Sequence, residues 1–137
     1  MKRLSILAVA SLALCGSAAA QAEVYPQAQQ IQMQKQLGKG TAQARYAFTR
    51  DKATPDQATR EIGFLTLQPG DAVGVHKHID NEDAYIIVSG EGTFTDNDGK
   101  TSPVKAGDIT IVRKGQSHGL ANTGTVPLVF VDVIAQQ

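Results

Sequence analysis

From residue 61 onward the chain is a succession of short apolar stretches, each stopped by turn residues. Residues 62–67 run into Pro69 and Gly70, residues 84–89 into Gly90, and residues 109–112 toward Gly115. No amphipathic helical period interrupts them. Strands this short at regular spacing cannot each bury a face alone, so they must stack as a sandwich or close into a barrel. Asp96-Asn97-Asp98-Gly99 lies between two such stretches and has the composition of a hairpin tip. Thr123-Gly124-Thr125 then turns the chain into residues 126–134, a last strand rich in β-branched side chains. The 13 glycines, the 5% aromatic content and the absence of Trp favour short strands and tight turns in the same way. With 137 residues, one all-β domain is expected, and no internal repeat suggests a solenoid.

The segment before this series divides in two. Lys2 and Arg3, an apolar run over 4–14, and the small residues 16–20 have the layout of a secretory signal peptide. The run is well short of the roughly 20 residues a spanning helix needs. Ala20 and Ala22 supply small side chains where a signal peptidase reads, so residues 1–22 are expected to be cleaved after Ala22 and the product to be periplasmic or secreted, with no membrane contact thereafter. The rest, 23–60, reads as an N-terminal extension with one or two strands ahead of a barrel domain over 61–137. Over 30–37 glutamine holds every even position, a period of two that suits a strand or else a polar leader. Ala44, Tyr46 and Phe48 alternate as a half-buried strand, and 51–60 reads as a surface loop. Cleavage would remove Cys15, the only cysteine, so an oxidising compartment would find no thiol to cross-link.

Thirteen basic residues balance thirteen acidic ones, and no basic run occurs beyond the first three residues, which sets nucleic acid aside as a partner. The chemistry concentrates in three histidines. On an extended segment His76 and His78, two residues apart, point their imidazoles to one face, where they can converge on one ion. His118 on a later strand can complete a three-nitrogen face, and Glu82 or Asp83 can return a carboxylate to the same point. Imidazoles and one carboxylate suit one divalent transition metal (Mn, Fe, Co, Ni, Cu or Zn) and suit Ca or Mg poorly. An HxH pair also occurs on exposed strands with no ion to hold.

These residues stand in a recognisable frame. Gly70, five residues, His76-Lys77-His78, four residues, Asp83, six residues and Gly90 resemble the first signature of the cupin superfamily. Gly107, five residues, Arg113-Lys114-Gly115, two residues, His118, three residues and Asn122 resemble the second. The usual Glu of the first is Asp here, and the usual Pro of the second is Arg113. The resemblance implies a double-stranded β-helix, that is, a jelly-roll barrel, with one metal held by His76, His78, Asp83 and His118. Counting back from Gly90 selects Asp83 as the carboxylate, while the shorter spacing from His78 selects Glu82. Neighbours on a strand face opposite ways, so only one can serve, and Asp83 is the expected ligand.

Tyr85 and Ile87 share the parity of Asp83 and should line the interior. Phe64, Phe94, Leu120 and Phe130 are expected wall residues, Gln116 a turn residue or a donor to the site, and Asn122 a turn cap. The function implied is that of an exported single-domain cupin acting on a small organic molecule, with a metal-dependent enzyme such as a dioxygenase ranked first; isomerase and lyase chemistry also occur in families it resembles. The alternative is a non-catalytic module that binds a sugar or organic acid, with a structural metal or none. Without a further His, Cys or Ser constellation, a metal-bound hydroxide, Glu82 or Tyr85 is left to act as a base. The N-terminal strands could add to a neighbour's sheet, which makes a homodimer the expected assembly.

Overall fold

The computed structural model describes residues 22–136, so the expected leader lies, Ala22 apart, outside the described residues. After a short 3-10 turn at Gln27–Gln29 come eleven strands: β1 Ile31–Gln36, β2 Gly38–Lys39, β3 Thr41–Phe48, β4 Thr59–Leu67, β5 Ala72–Lys77, β6 Asn81–Ser89, β7 Glu91–Thr95, β8 Thr101–Lys105, β9 Ile109–Val112, β10 Ser117–Ala121 and β11 Leu128–Gln136. They form a six-stranded sheet in the order β1-β3-β4-β11-β6-β9 and a five-stranded one in the order β2-β5-β10-β7-β8. Every pairing is antiparallel. From β4 onward the chain passes back and forth between the sheets, which is the winding of a jelly roll. Among the described residues no helix is long and apolar enough to cross a membrane.

Side-chain alternation decides which face each strand buries. On β4 the odd positions turn in, so Leu65 and Leu67 are buried; on β11 Leu128, Phe130, Asp132 and Ile134 do the same. Between the sheets these meet Val73, Tyr85, Ile87, Val104 and Leu120. Phe94, Leu120 and Phe130 lie in or against this core as expected. Phe64 does not. It falls on the even, outward face of β4, half-buried, with the Arg45 guanidinium 5.0 Å above its ring. The inward position beside it is Gly63, which stands opposite Tyr46 and is covered by the Tyr46 ring.

Residues 23–60 supply β1, β2 and β3. Ala42, Ala44 and Tyr46 of β3 are fully buried in the same core, and Met33 of β1 and Leu37 pack against it. The odd-numbered face of 30–37 is therefore the one turned inward. Asp96–Gly99 forms the tip of the β7–β8 hairpin, where Asp96 Oδ1 accepts the backbone N–H groups of Asp98 and Lys100 at 2.9 Å each. Pro103, which cannot donate to a ladder, sits on the edge strand β8.

Candidate metal centre

His76 faces the interior because β5 carries one residue too many. β10 aligns His118 with His76 and Leu120 with Val73, so Gly74 and Val75 together oppose Gly119. This two-against-one bulge flips the alternation and lets both Val73 and His76 point inward. A Cβ on Gly119 would stand 3.1 Å from the Val73 carbonyl oxygen and 3.2 Å from the Val75 nitrogen, so any side chain there would press on the bulge, which would have to give by a few tenths of an ångström. His78, just past β5, is fixed by its backbone: its N–H donates to the Gln116 carbonyl at 2.9 Å, and its carbonyl accepts the Gly115 N–H at 2.6 Å.

The three rings converge through their Nε2 atoms. His78 Nε2 lies 3.1 Å from both His76 Nε2 and His118 Nε2. Asp83 Oδ2 is 3.3 Å from His118 Nε2 and 3.6 Å from His78 Nε2. One ligand atom from each of the four residues lies within 4.8 Å of all the others. The opposite face of β6 takes Glu82, whose Oε2 accepts a hydrogen bond from Arg113 Nη1 at 2.5 Å. Strand parity thus brings Asp83 to the histidines and turns Glu82 away.

The hydrogen-bond partners fix where the imidazole protons sit. His76 Nδ1 bonds the Gly74 carbonyl at 2.8 Å, and a carbonyl only accepts, so Nδ1 carries the proton. His78 Nδ1 bonds Asn81 Oδ1 at 2.6 Å, and that amide is oriented by its Nδ2 donating to Asp80 Oδ1 at 2.9 Å. Here too the proton sits on Nδ1. With both rings neutral, two bare Nε2 lone pairs therefore face each other at 3.1 Å with no hydrogen between them. Such an approach is repulsive unless a cation lies on the common focus. Two nitrogens bonded at about 2.1 Å to one ion stand about 3.0 Å apart at a right angle and about 3.4 Å apart at a tetrahedral one, so the residues present fit a transition metal.

Burial sets the charge states. His118, fully buried, is pushed down to about 4 by desolvation and then by His76, and desolvation lowers His78 as well, so both imidazoles are neutral and ready to donate a lone pair. The Tyr85 ring stacks on His118 at 4.7 Å and Phe94 meets it edge-on at 5.8 Å, holding by packing a ring whose buried Nδ1 has no hydrogen-bond partner. Asp83 is raised to about 6 by desolvation, against the opposing effect of hydrogen bonds from Asp132 and Tyr85. Asp132 is raised as well, by its own burial and then by the charge of Asp83. Its carboxyl also accepts from the Tyr46 hydroxyl at 3.4 Å, and Tyr46 in turn accepts from Lys35 Nζ at 2.5 Å.

The other expected residues fall into place around this. Tyr85 and Ile87 line the interior with Asp83. Gln116 serves the turn, its Oε1 accepting the Arg113 N–H at 2.9 Å. Asn122 ties the last turn, donating to the Val126 carbonyl at 2.9 Å and to the Leu67 carbonyl at 2.8 Å while accepting from the Gly124 N–H at 3.0 Å. Sequence reading missed Asn81 and Asp132. Asp132 could have been noticed as the lone acid, at an inward position, of an otherwise apolar strand.

A cupin domain model matches residues 63–134. An oxalate-binding protein of Thermotoga maritima is 39% identical over 95 residues, which cover 69% of this chain and 78% of that protein. A crystal structure from the same organism, described as that of a predicted oxalate decarboxylase, superposes with a TM-score of 0.74 at 32% identity over 84% of this chain and all of the other. A gentisate 1,2-dioxygenase of a Ralstonia species is 34% identical over 73 residues, but those cover only 20% of its length. With two ordered signatures, a double-stranded β-helix and a family match over most of the barrel, this chain belongs to the cupin family.

Proposed function

We propose that the chain holds one divalent transition metal on Nε2 of His76, His78 and His118 and on Oδ2 of Asp83, and that it uses this centre to bind a small dicarboxylate of the oxalate type. The observation that carries the reading is the pair of unprotonated Nε2 atoms of His76 and His78 at 3.1 Å. When bound, the metal supplies a Lewis-acidic cation with open positions. Three neutral imidazoles and one carboxylate cancel only one of its two charges, which leaves a positive centre in an otherwise low-dielectric barrel and favours an anion. The oxalate-binding relative supports that anion class.

Binding is favoured over turnover by where the two protein side chains that could act as a base lie. Glu82 is bonded to Arg113 on the outer face, and Tyr85 is buried against Asp83 with its hydroxyl held well above the ordinary phenol range by desolvation. Neither offers a free base to a molecule at the centre. The similarity to a gentisate dioxygenase supports oxygenase chemistry as the second reading.

Elemental analysis of the purified protein should find one transition metal per chain. Titration calorimetry should show oxalate binding to the metal-loaded protein and none to the stripped one. His76→Ala, His78→Ala and His118→Ala should each reduce bound metal sharply, Asp83→Ala less and Glu82→Ala little. Full metal retention by His118→Ala with intact circular dichroism would refute the centre, and oxygen uptake with an aromatic acid would move the reading to an oxygenase.

A further inference from the structure

The bulge that aims His76 leaves backbone groups without ladder partners, and their disposition identifies what holds it. The Gly74 N–H is taken by the Leu37 carbonyl in a short hydrogen bond, from the segment leading into β2. The Gly74 carbonyl is taken by His76 Nδ1–H at 2.8 Å. One residue, Gly74, thus connects the N-terminal segment to the orienting bond of a metal ligand. β2 lies directly beside this residue, with Gly38 opposite Val73 and Lys39 opposite Ala72. The approach is so close that a Cβ on Gly38 would stand 2.6 Å from the Gly74 nitrogen and 2.7 Å from its Cα. From the other side Gly119 admits the bulge with no room to spare. Of the three histidines, His76 is the exposed one, with the least packing of its own to keep its ring in place.

We infer that Leu37 and Gly38 are positioning residues for the metal centre: they clamp the β5 bulge and through it set the direction and tautomer of His76. This rests on the metal reading above and extends it to residues outside the 63–134 stretch matched by the family model. The clamp acts through backbone atoms, so the identity of the Leu37 side chain is secondary and the absence of one on Gly38 is decisive. Outer partners that orient a metal-bound imidazole are commonly worth tenfold to a hundredfold in metal affinity.

The test uses the full folded chain, stripped of metal and titrated with Co(II) alone, read by visible absorption and by competition with a chelating dye. Gly38→Ala should weaken Co(II) by roughly tenfold or more and alter its absorption bands. Gly99→Ala is the control, because Gly99 also has a positive φ, +77°, but has nothing within 4 Å of the new Cβ. It should leave both readouts unchanged. In a His76→Ala background Gly38→Ala should cost little more, since the ligand it acts through is gone. Gly74→Ala is the milder push, its Cβ 3.2 Å from Gly38 Cα and free of any positive-φ penalty, and it carries the same expectations if Gly38→Ala does not fold. Wild-type affinity and spectrum in both variants would overturn the inference, as would an equal loss with and without His76. No uptake of Co(II) by the unaltered protein would instead overturn the metal reading beneath it.

Discussion

At the scale of single residues, the centre was legible where spacing alone carries the information. The two-residue separation of His76 and His78 and the parity of Asp83 against Glu82 needed only the period of a strand. Asn81 and Asp132 were not legible, because their importance comes from contacts that spacing does not reveal: the tautomer of His78, and the register that sets β11 beside β6, with Asp132 opposite Tyr85. That register places two buried carboxyls together, and their burial has a consequence for stability. Asp83 and Asp132 both titrate higher in the folded protein than the ordinary 3.8, so the metal-free fold keeps protons that the unfolded chain releases. Their contribution is complete below pH 3.8 and is lost as pH rises through the folded values. His118, lowered to about 4, acts in the opposite sense between that value and 6.5 and partly masks the effect. Asp132→Asn keeps a donor toward Asp83 and cannot ionise. Metal-free wild type should therefore lose stability relative to Asp132→Asn as pH is raised from 5 to 8, by up to about 1.4 kcal/mol per pH unit for each proton released. Parallel denaturation curves at the two pH values would contradict this.

At the scale of elements, the strands bounded by Gly and Pro were placed by their alternation, and the hairpin at Asp96–Gly99 by its composition. Two features escaped this reading, for different reasons. Phe64 is expected in the wall on its hydrophobicity, but alternation puts it on the outward face, and the inward site beside it belongs to Gly63, where the Tyr46 ring occupies the space. The bulge in β5 could not be read at all, since an extra residue is defined only against its partner strand. The Gly63 position makes a sharp expectation. A Cβ there would meet the Tyr46 ring and stand 2.6 Å from the Arg45 carbonyl oxygen, and Tyr46 is fully buried with its hydroxyl tied to Lys35 and Asp132. Gly63→Ala should cost roughly 1–3 kcal/mol, as overpacking of a filled interior does. A urea midpoint equal to that of the wild type would show that the ring can move aside freely.

At the scale of the whole molecule, the N-terminal strands pair within the chain, β1 with β3 and β2 with β5, and each lies at the edge of its sheet. A different surface now supports the homodimer proposal. On the outer face of β6 and β9, Ile86 lies opposite Ile109 and Ala84 opposite Ile111, and Val88 continues the row. Ile86, Val88, Ile109 and Ile111 are 39%, 48%, 67% and 49% exposed. A second copy can cover this patch with its own by a two-fold axis. Light scattering should give a dimer at micromolar concentration and a monomer for Ile109→Glu with its metal retained; a monomeric wild type would remove the proposal. Chain order adds a constraint of another kind. β11 is the last of these strands to be synthesised, yet it sits in the middle of the six-stranded sheet, between β4 and β6. A chain that has emerged only as far as Pro127 owns two unjoined half-sheets with open edges. The six-stranded sheet therefore cannot close before β11 has emerged.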